Sequence, residues 1–433
     1  MTVYMLKLIY IVIDGMADRP LEELNGLTPL EYASTPNLDG LAKRGVTGLM
    51  YTVEKGVAPE SDVAVMSILG YDPRRYHTGR GPLEAIGAGI EMKDGDLALR
   101  CNFATVGGDW ELIDRRVGRS LTSEEAAELG SAINKEVKLE SHPADFVFKT
   151  TIGHRAVLVI KGRGIKLSAD ITNTDPAYVK LEGMGIASVK PERMVKRCEP
   201  LKDTPEAKAA AELVNEFTVK SRELLEKHPI NVKRVEEGKL KANIVLMRDA
   251  GDKTPKLFNL NEKYGLRFAC LADMPVERGI AKLAGMEVIP IPPPTGDLKN
   301  DYGFRVERLL EVLPHFDAFY IHIKGPDEPG HDGDARRKAE VISLVDEEFM
   351  APLLSSVKLS ETVICVTADH ATPCSLKAHS DDPVPILIAG GGVEEDEVQT
   401  FSERSCALGK LGLLEKGVEL MPILVKAVKA GLT

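Results

Sequence analysis

Short, unbroken apolar runs punctuate the chain at Leu8–Ile13, Ala156–Ile160, Ile244–Met247, Phe268–Ala272, Ala318–Ile323, Val363–Thr367 and Val384–Ile388. Runs of this length without polar alternation predict strands buried on both faces. Between most of them lie segments of helical character: Leu38–Arg44, Pro205–Lys227, Gly279–Ala284, Ala335–Leu354 and Glu415–Ala430. This alternation predicts an α/β fold, a mostly parallel sheet with helices on both faces. Chemistry in such sheets collects beyond the carboxyl ends of the strands. Three runs end at or lead to an acidic residue there: Ile13 to Asp14, Ile323 to Asp327 and Ala368 to Asp369.

The middle of the chain breaks this rhythm with Gly-rich turns and arginine clusters. Acidic strand ends lie on both sides of it, which predicts a smaller α/β or α+β domain, residues 73–241, inserted into a discontinuous one, 1–72 and 242–433. A length of 433 residues suits two domains, because single cores rarely grow past ~250–300 residues. The segment Pro290-Ile-Pro-Pro-Pro294 reads as a stiff surface connector.

Charge narrows the choice of partner. Lys and Arg number 55 against 66 Asp and Glu, a net charge of −11, which argues against nucleic acid and leaves room for a local basic pocket that takes a small anion. Six scattered cysteines contain no C-x-x-C pair, so reduced thiols are expected rather than a disulfide framework or structural zinc site. The run Leu8–Ile13 is too short to span a bilayer. These features predict a soluble, cytoplasmic chain with a small-molecule substrate and no membrane partner; they do not indicate an oligomeric state.

Several polar motifs carry candidate chemistry. In Lys324-Gly-Pro-Asp327-Glu-Pro-Gly-His331-Asp-Gly-Asp334, a carboxylate and an imidazole suit a divalent ion, and Pro329 and Gly330 let a loop fold both towards one point. An acidic turn before a helix accounts for the same residues equally well. Asp369-His370 at a strand end reads alone as a cap beside a satisfied histidine, and His379 as a surface residue. Pooled with Asp327 and His331, they supply two aspartates and three histidines, a set better explained by two metal ions than by accident. Asp14-Gly15 is a turn or a further oxygen ligand. Ser61, in Pro59-Glu-Ser61-Asp62, stands at the expected N-cap of an apolar helix, where its hydroxyl either caps the helix or serves as a nucleophile favoured by the helix dipole and a metal. Arg100, Arg115, Arg116, Arg119, Arg155 beside His154, and Arg248 suggest an anion pocket. Gly79–Gly89 is glycine-rich but lacks the Lys-Ser/Thr of a phosphate-binding loop.

Taken in chain order, Asp14-Gly, Pro59-x-Ser-Asp-Val-Ala64, Gly81-Pro-Leu-Glu-Ala85, Asp114-Arg-Arg-x-Gly-x-Arg119, Asp327-x-x-x-His331, Asp369-His370 and His379 resemble the cofactor-independent phosphoglycerate mutases, in their archaeal-type branch, within the alkaline phosphatase superfamily. The resemblance covers nearly the whole chain. It implies an alkaline-phosphatase-like fold and two divalent ions, most commonly manganese, with cobalt, zinc or magnesium as substitutes, and no 2,3-bisphosphoglycerate. By matched positions Asp327, His331 and His379 would hold one ion, and Asp14, Ser61, Asp369 and His370 the other. The implied reaction interconverts 3-phosphoglycerate and 2-phosphoglycerate through a phosphoserine at Ser61. The inserted domain would be a lid that excludes water and grips the glycerate through Arg115, Arg119, Arg155 and Arg248, with Asp114 and His154 as candidates for moving the proton between the two glycerate oxygens. The long bacterial form has Gly-Asn-Ser-Glu where this chain has Pro59-Glu-Ser-Asp62. Two other readings compete: a metal-dependent phosphomonoesterase or a phosphopentomutase-like enzyme, and a non-catalytic protein that binds a metal or phospho-ligand.

Overall fold

A computed structural model describes residues 6–181, 184–187 and 192–430. The chain divides into two compact units, one of Met1–His77 with Leu257–Thr433 and one of Thr78–Lys256.

The first unit is built on an eight-stranded sheet. Its strands lie in the order Glu287–Val288, Phe268–Leu271, Ala318–Ile323, Lys7–Ile13, Thr362–Thr367, Val384–Gly390, Gly45–Met50, Gly412–Leu414. Pairing is parallel except on the two sides of Val384–Gly390, which runs against its neighbours. Every residue of Ala318–Ile323 and Thr362–Thr367 is buried, as is all of Lys7–Ile13 except its first residue, which is why these strands read as continuous apolar runs. They are adjacent and parallel, with Ile13 opposite Ile323 and Val12 opposite Thr367. The register therefore delivers Asp14, Lys324 and Asp369 to one sheet edge.

The second unit is an antiparallel sheet. Leu97–Val106 pairs with Arg155–Gly162 on one side and with Ile244–Gly251 on the other, Ala144–Thr150 lies beyond Arg155–Gly162, and the short strand Leu112–Asp114 pairs with the end of Leu97–Val106. Side chains alternate across this sheet. Leu97, Leu99, Cys101 and Phe103 pack into a core with the helices Ser123–Glu136 and Pro205–Lys227, while Ala98 faces Ala85 from the helix Arg80–Gly87. The first of these helices starts with a capping box between Thr122 and Glu125, and the second is capped by Thr204.

Some sequence expectations need correction. The second unit runs to Lys256 and begins at Thr78, not 73–241, because the strand Ile244–Gly251 is hydrogen-bonded to Leu97–Val106. An apolar run of that length carries no mark of which sheet it will join. The final helix starts at Leu420 rather than Glu415, since Gly412–Leu414 pairs with Gly45–Met50 as an edge strand. The segment Ala335–Leu354 is helical throughout but widens to a π-turn at Asp346–Met350. There the Asp346 carboxylate accepts the N–H groups of Asn37 and Leu38. Among the described residues no helix is long and apolar enough to cross a membrane, and all six cysteines are buried thiols outside any disulfide.

Candidate active site and metal centre

The site lies in the first unit, where segments more than three hundred residues apart in the chain meet. Asp14 leaves the end of its strand with Gly15 at φ +61°, a left-handed turn that glycine adopts without strain. The Gly15 N–H and the His370 N–H both donate to Asp369 Oδ1, each at 3.1 Å. This fixes the carboxylate so that Oδ2 turns the other way. His370 Nε2 then stands 3.3 Å from Asp369 Oδ2, 3.3 Å from Asp14 Oδ1 and 3.3 Å from Ser61 Oγ.

Ser61 does not cap its helix. The cap position is Glu60, in extended backbone without a side-chain capping bond, and Ser61 is the first helical residue. Its hydroxyl is thus free of a structural task and sits at the positive end of the helix Ser61–Ile68.

A second cluster adjoins the first. Asp327–Asp332 is a short helix rather than an irregular loop, so Asp327 and His331 share a face at i, i+4 spacing, with His331 Nε2 3.4 Å from Asp327 Oδ1. His379 returns to the site because the segment after His370 doubles back, with Ala371 bridged to Ser380. Its Nε2 lies 3.2 Å from His331 Nε2 and 3.5 Å from Asp327 Oδ1, and its ring stacks on His370 at 3.7 Å between centroids. Donor atoms of Asp14, Asp369 and His370 lie within 4.8 Å of one another, as do those of Asp327, His370 and His379. By distance alone His370 belongs to both groups.

The electrostatics of this cluster call for positive charge. Asp14 Oδ1 and Asp369 Oδ2 are buried and accept no hydrogen bond, a costly arrangement unless a cation faces them. Against the upward push of burial, Lys324 and His370 hold Asp14 well below the usual carboxylate range. Asp369 is instead pushed up by burial and by Asp14. Burial lowers His379, but Asp327 and Glu60 outweigh it and carry the imidazole up to about 10. Carboxylate oxygens and imidazole nitrogens are the donor types that hold borderline divalent ions, so the residues fit such ions.

Sequence reasoning passed over three further groups here. Lys324 Nζ bridges Asp14 Oδ2 at 3.0 Å and Glu277 Oε1 at 2.8 Å. Lys324 immediately follows the strand Ala318–Ile323, so the strand-end rule that found Asp14 and Asp369 applies to it as well. Glu277 and His322 are fully buried behind it. Burial and Lys324 lower His322 to about 4, which keeps that ring neutral.

The expected substrate residues all lie in the second unit, and the sheet register gathers part of them. Arg248 pairs with Arg100 and Arg155 with Asn102 across neighbouring strands, and residues opposite one another share a face. Asp175, which no sequence motif marked, organises the group. It accepts Arg115 Nε at 3.0 Å, Arg115 Nη2 at 2.6 Å and Arg248 Nη1 at 3.1 Å. Both guanidinium groups also lie against the Tyr178 ring, at 4.9 and 4.7 Å. Burial, then Arg155, Arg116, Arg248 and Arg115, lower His154 to about 3. Asp114 Oδ1 accepts the N–H groups of Arg116 and Gly118 and so shapes the turn that carries Arg115. Arg119 sits at the exposed end of that turn, at φ +53°.

Known proteins share this architecture and sequence. Residues 42–231 match the family model described as 2,3-bisphosphoglycerate-independent phosphoglycerate mutase. Curated proteins of the same name include one from Aeropyrum pernix, 45% identical and covering 96% of this chain and 98% of its own. Another, from Methanopyrus kandleri, is 42% identical over 96% of this chain and 95% of its own. A solved protein from Pyrococcus horikoshii covers 99% of this chain and 98% of its own at 34% identity, with a TM-score of 0.78. The cofactor-independent phosphoglycerate mutase from Thermoplasma acidophilum covers 98% of this chain and all of its own at 33% identity, with a TM-score of 0.61. At this identity over almost its whole length, the chain belongs to the 2,3-bisphosphoglycerate-independent phosphoglycerate mutases.

Proposed function

We propose that this chain interconverts 3-phosphoglycerate and 2-phosphoglycerate through a phosphoserine on Ser61, with two divalent cations, manganese first among the candidates. Asp327, His331 and His379 would hold one cation; Asp14, Ser61, Asp369 and His370 would hold the other. Bound there, the cations would supply Lewis acidity that lowers the Ser61 hydroxyl pKa and offsets charge on the transferring phosphoryl oxygens. The observation that carries the reading is the place of Ser61 Oγ: 3.3 Å from His370 Nε2, beside two buried carboxylate oxygens that accept no hydrogen bond, on the first turn of a helix.

The chain's own residues account for the remaining steps. The helix N-terminus at Ser61 favours negative charge on a phosphoryl group attached there. Lys324, anchored by Asp14 and Glu277, adds a fixed positive charge next to the cluster. In the second unit Arg115 and Arg248, held in place by Asp175, would grip the glycerate carboxylate, with Arg119 and Arg155 as further donors. Retaining the glycerate while it reorients is what separates a mutase from a phosphatase. The proton exchanged between the two glycerate oxygens would pass through Asp114 or His154.

An enolase-coupled assay on 3-phosphoglycerate tests this function. Manganese-loaded protein is expected to yield phosphoenolpyruvate, and release of free phosphate in its place would overturn the mutase assignment in favour of a phosphomonoesterase. Ser61→Ala is expected to keep the fold and lose turnover by ~10⁴-fold or more, as for a removed nucleophile. Wild-type turnover in that variant would remove Ser61 from the reaction.

A further inference from the structure

We infer that Thr372 is a positioning residue that couples the two cation sites: its hydroxyl locks the tautomer of His370 and the rotamer of Asp327 at once. The inference rests on the two-cation reading given above.

Thr372 is fully buried. Its Oγ1 lies 2.7 Å from Asp327 Oδ1 and 3.1 Å from His370 Nδ1. A threonine hydroxyl has one hydrogen to give, and a carboxylate oxygen can only accept. The hydrogen therefore goes to Asp327, and the same oxygen must accept from His370, which places that ring's hydrogen on Nδ1. This hydrogen-bond accounting places a hydrogen on Nδ1 and leaves Nε2, beside Asp14 Oδ1, Asp369 Oδ2 and Ser61 Oγ, as the ring atom offered to a cation. One hydroxyl thus orients a donor of each site. A shared outer group of this kind sets both ligand orientation and ligand basicity.

The backbone of Thr372 is fixed just as firmly. Its N–H donates to the Ala17 carbonyl at 3.1 Å, and its carbonyl accepts the Lys338 ammonium at 2.9 Å. That buried ammonium also binds the Ala17 carbonyl at 3.1 Å and Asp18 Oδ2 at 2.8 Å. The loops that follow the strands Lys7–Ile13 and Thr362–Thr367 are therefore clamped together at Thr372. On its other side Thr372 meets Gly330, where an added Cβ would lie 2.6 Å from the Thr372 carbonyl oxygen, so the Asp327–Asp332 helix rests directly on it.

Isothermal titration of the full chain with manganese separates this role from simple packing. Thr372→Val keeps the shape and removes the hydroxyl; it is expected to weaken manganese binding at both sites by ~10- to 100-fold, the usual cost of losing an outer partner of a metal ligand. Thr372→Ser restores the hydroxyl and is expected to restore the affinity; metal-free Thr372→Val, in which His370 Nδ1 and Asp327 Oδ1 lose a buried partner, is expected to keep the wild-type circular dichroism at a lowered unfolding midpoint. Wild-type affinity at both sites in Thr372→Val overturns the inference alone. A wild-type chain that takes up no manganese overturns the two-cation reading and the inference with it. Nitrogen-15 histidine spectra of the wild-type chain loaded with zinc provide a check that needs no variant: His370 is expected to carry its proton on Nδ1, and a proton on Nε2 would overturn the assignment.

Discussion

His331 and His379 face each other through their Nε2 atoms at 3.2 Å, while each Nδ1 is tied to a backbone carbonyl, that of Lys377 at 3.1 Å for His331 and that of Pro59 at 2.8 Å for His379. A carbonyl only accepts, so both Nδ1 atoms carry hydrogen and both lone pairs point into the gap. Such a gap needs either one proton or one cation. With Asp327 Oδ1 on its flank, a cation binding there would displace that proton.

Cation uptake should therefore release protons. Near pH 8, His379 holds a proton, since Asp327 and Glu60 carry it up to about 10, and a ligating imidazole must give that proton up. Titrations with manganese in buffers of different ionisation enthalpy are expected to show close to one proton released on filling this site, and His379→Gln to remove that release. A buffer-independent heat would contradict the exchange.

Lys324 is expected to be needed for stability as well as for turnover. Lys324→Met leaves Asp14 and the fully buried Glu277 without their cation, and breaking such a pair costs roughly 3 kcal/mol. Denaturant unfolding of metal-free protein is expected to show this loss, and Lys324→Met combined with Glu277→Leu to recover part of it. A single variant as stable as wild type would show that the pair contributes nothing.

Gly15→Ala tests the closeness of the two ligand loops. A Cβ at Gly15 would lie 2.7 Å from Thr372 Oγ1 and 2.8 Å from Asp327 Cβ and Oδ1, in backbone at φ +61°. The strained backbone alone costs about 1–3 kcal/mol, and the displaced Asp327 should weaken manganese binding. Thermal unfolding and manganese titration read the two effects separately.

His154 should make the fold sensitive to acid. Its folded pKa, lowered to about 3 by burial and surrounding arginines, lies below the ordinary histidine value near 6.5, so the unfolded chain takes up a proton that the folded chain refuses. Stability from this group is full above about pH 6.5 and falls as pH drops from there towards about 3. Unfolding midpoints followed from pH 7 to pH 4 are expected to decline less steeply in His154→Gln than in wild type. Parallel curves would show that the imidazole is not held neutral.

Much of this protein can be read from local pattern alone. Each central strand is buried on both faces, so it must be apolar along its whole length, and the first polar residue after it marks the sheet edge. Asp14 and Asp369 were legible for that reason, and Lys324 could have been. The spacing of Asp327 and His331 already implied a shared direction, although it comes from a helical turn. Local pattern has no access to what depends on closure over long separations. The antiparallel sense of Val384–Gly390, the strand Ile244–Gly251 joining the second unit, Asp175 between Arg115 and Arg248, and Thr372 between His370 and Asp327 all arise from pairings that distant segments select by packing. A buried polar group leaves no periodic trace in the sequence, because what keeps it is a partner on another segment, and only the tertiary structure decides which segment that is.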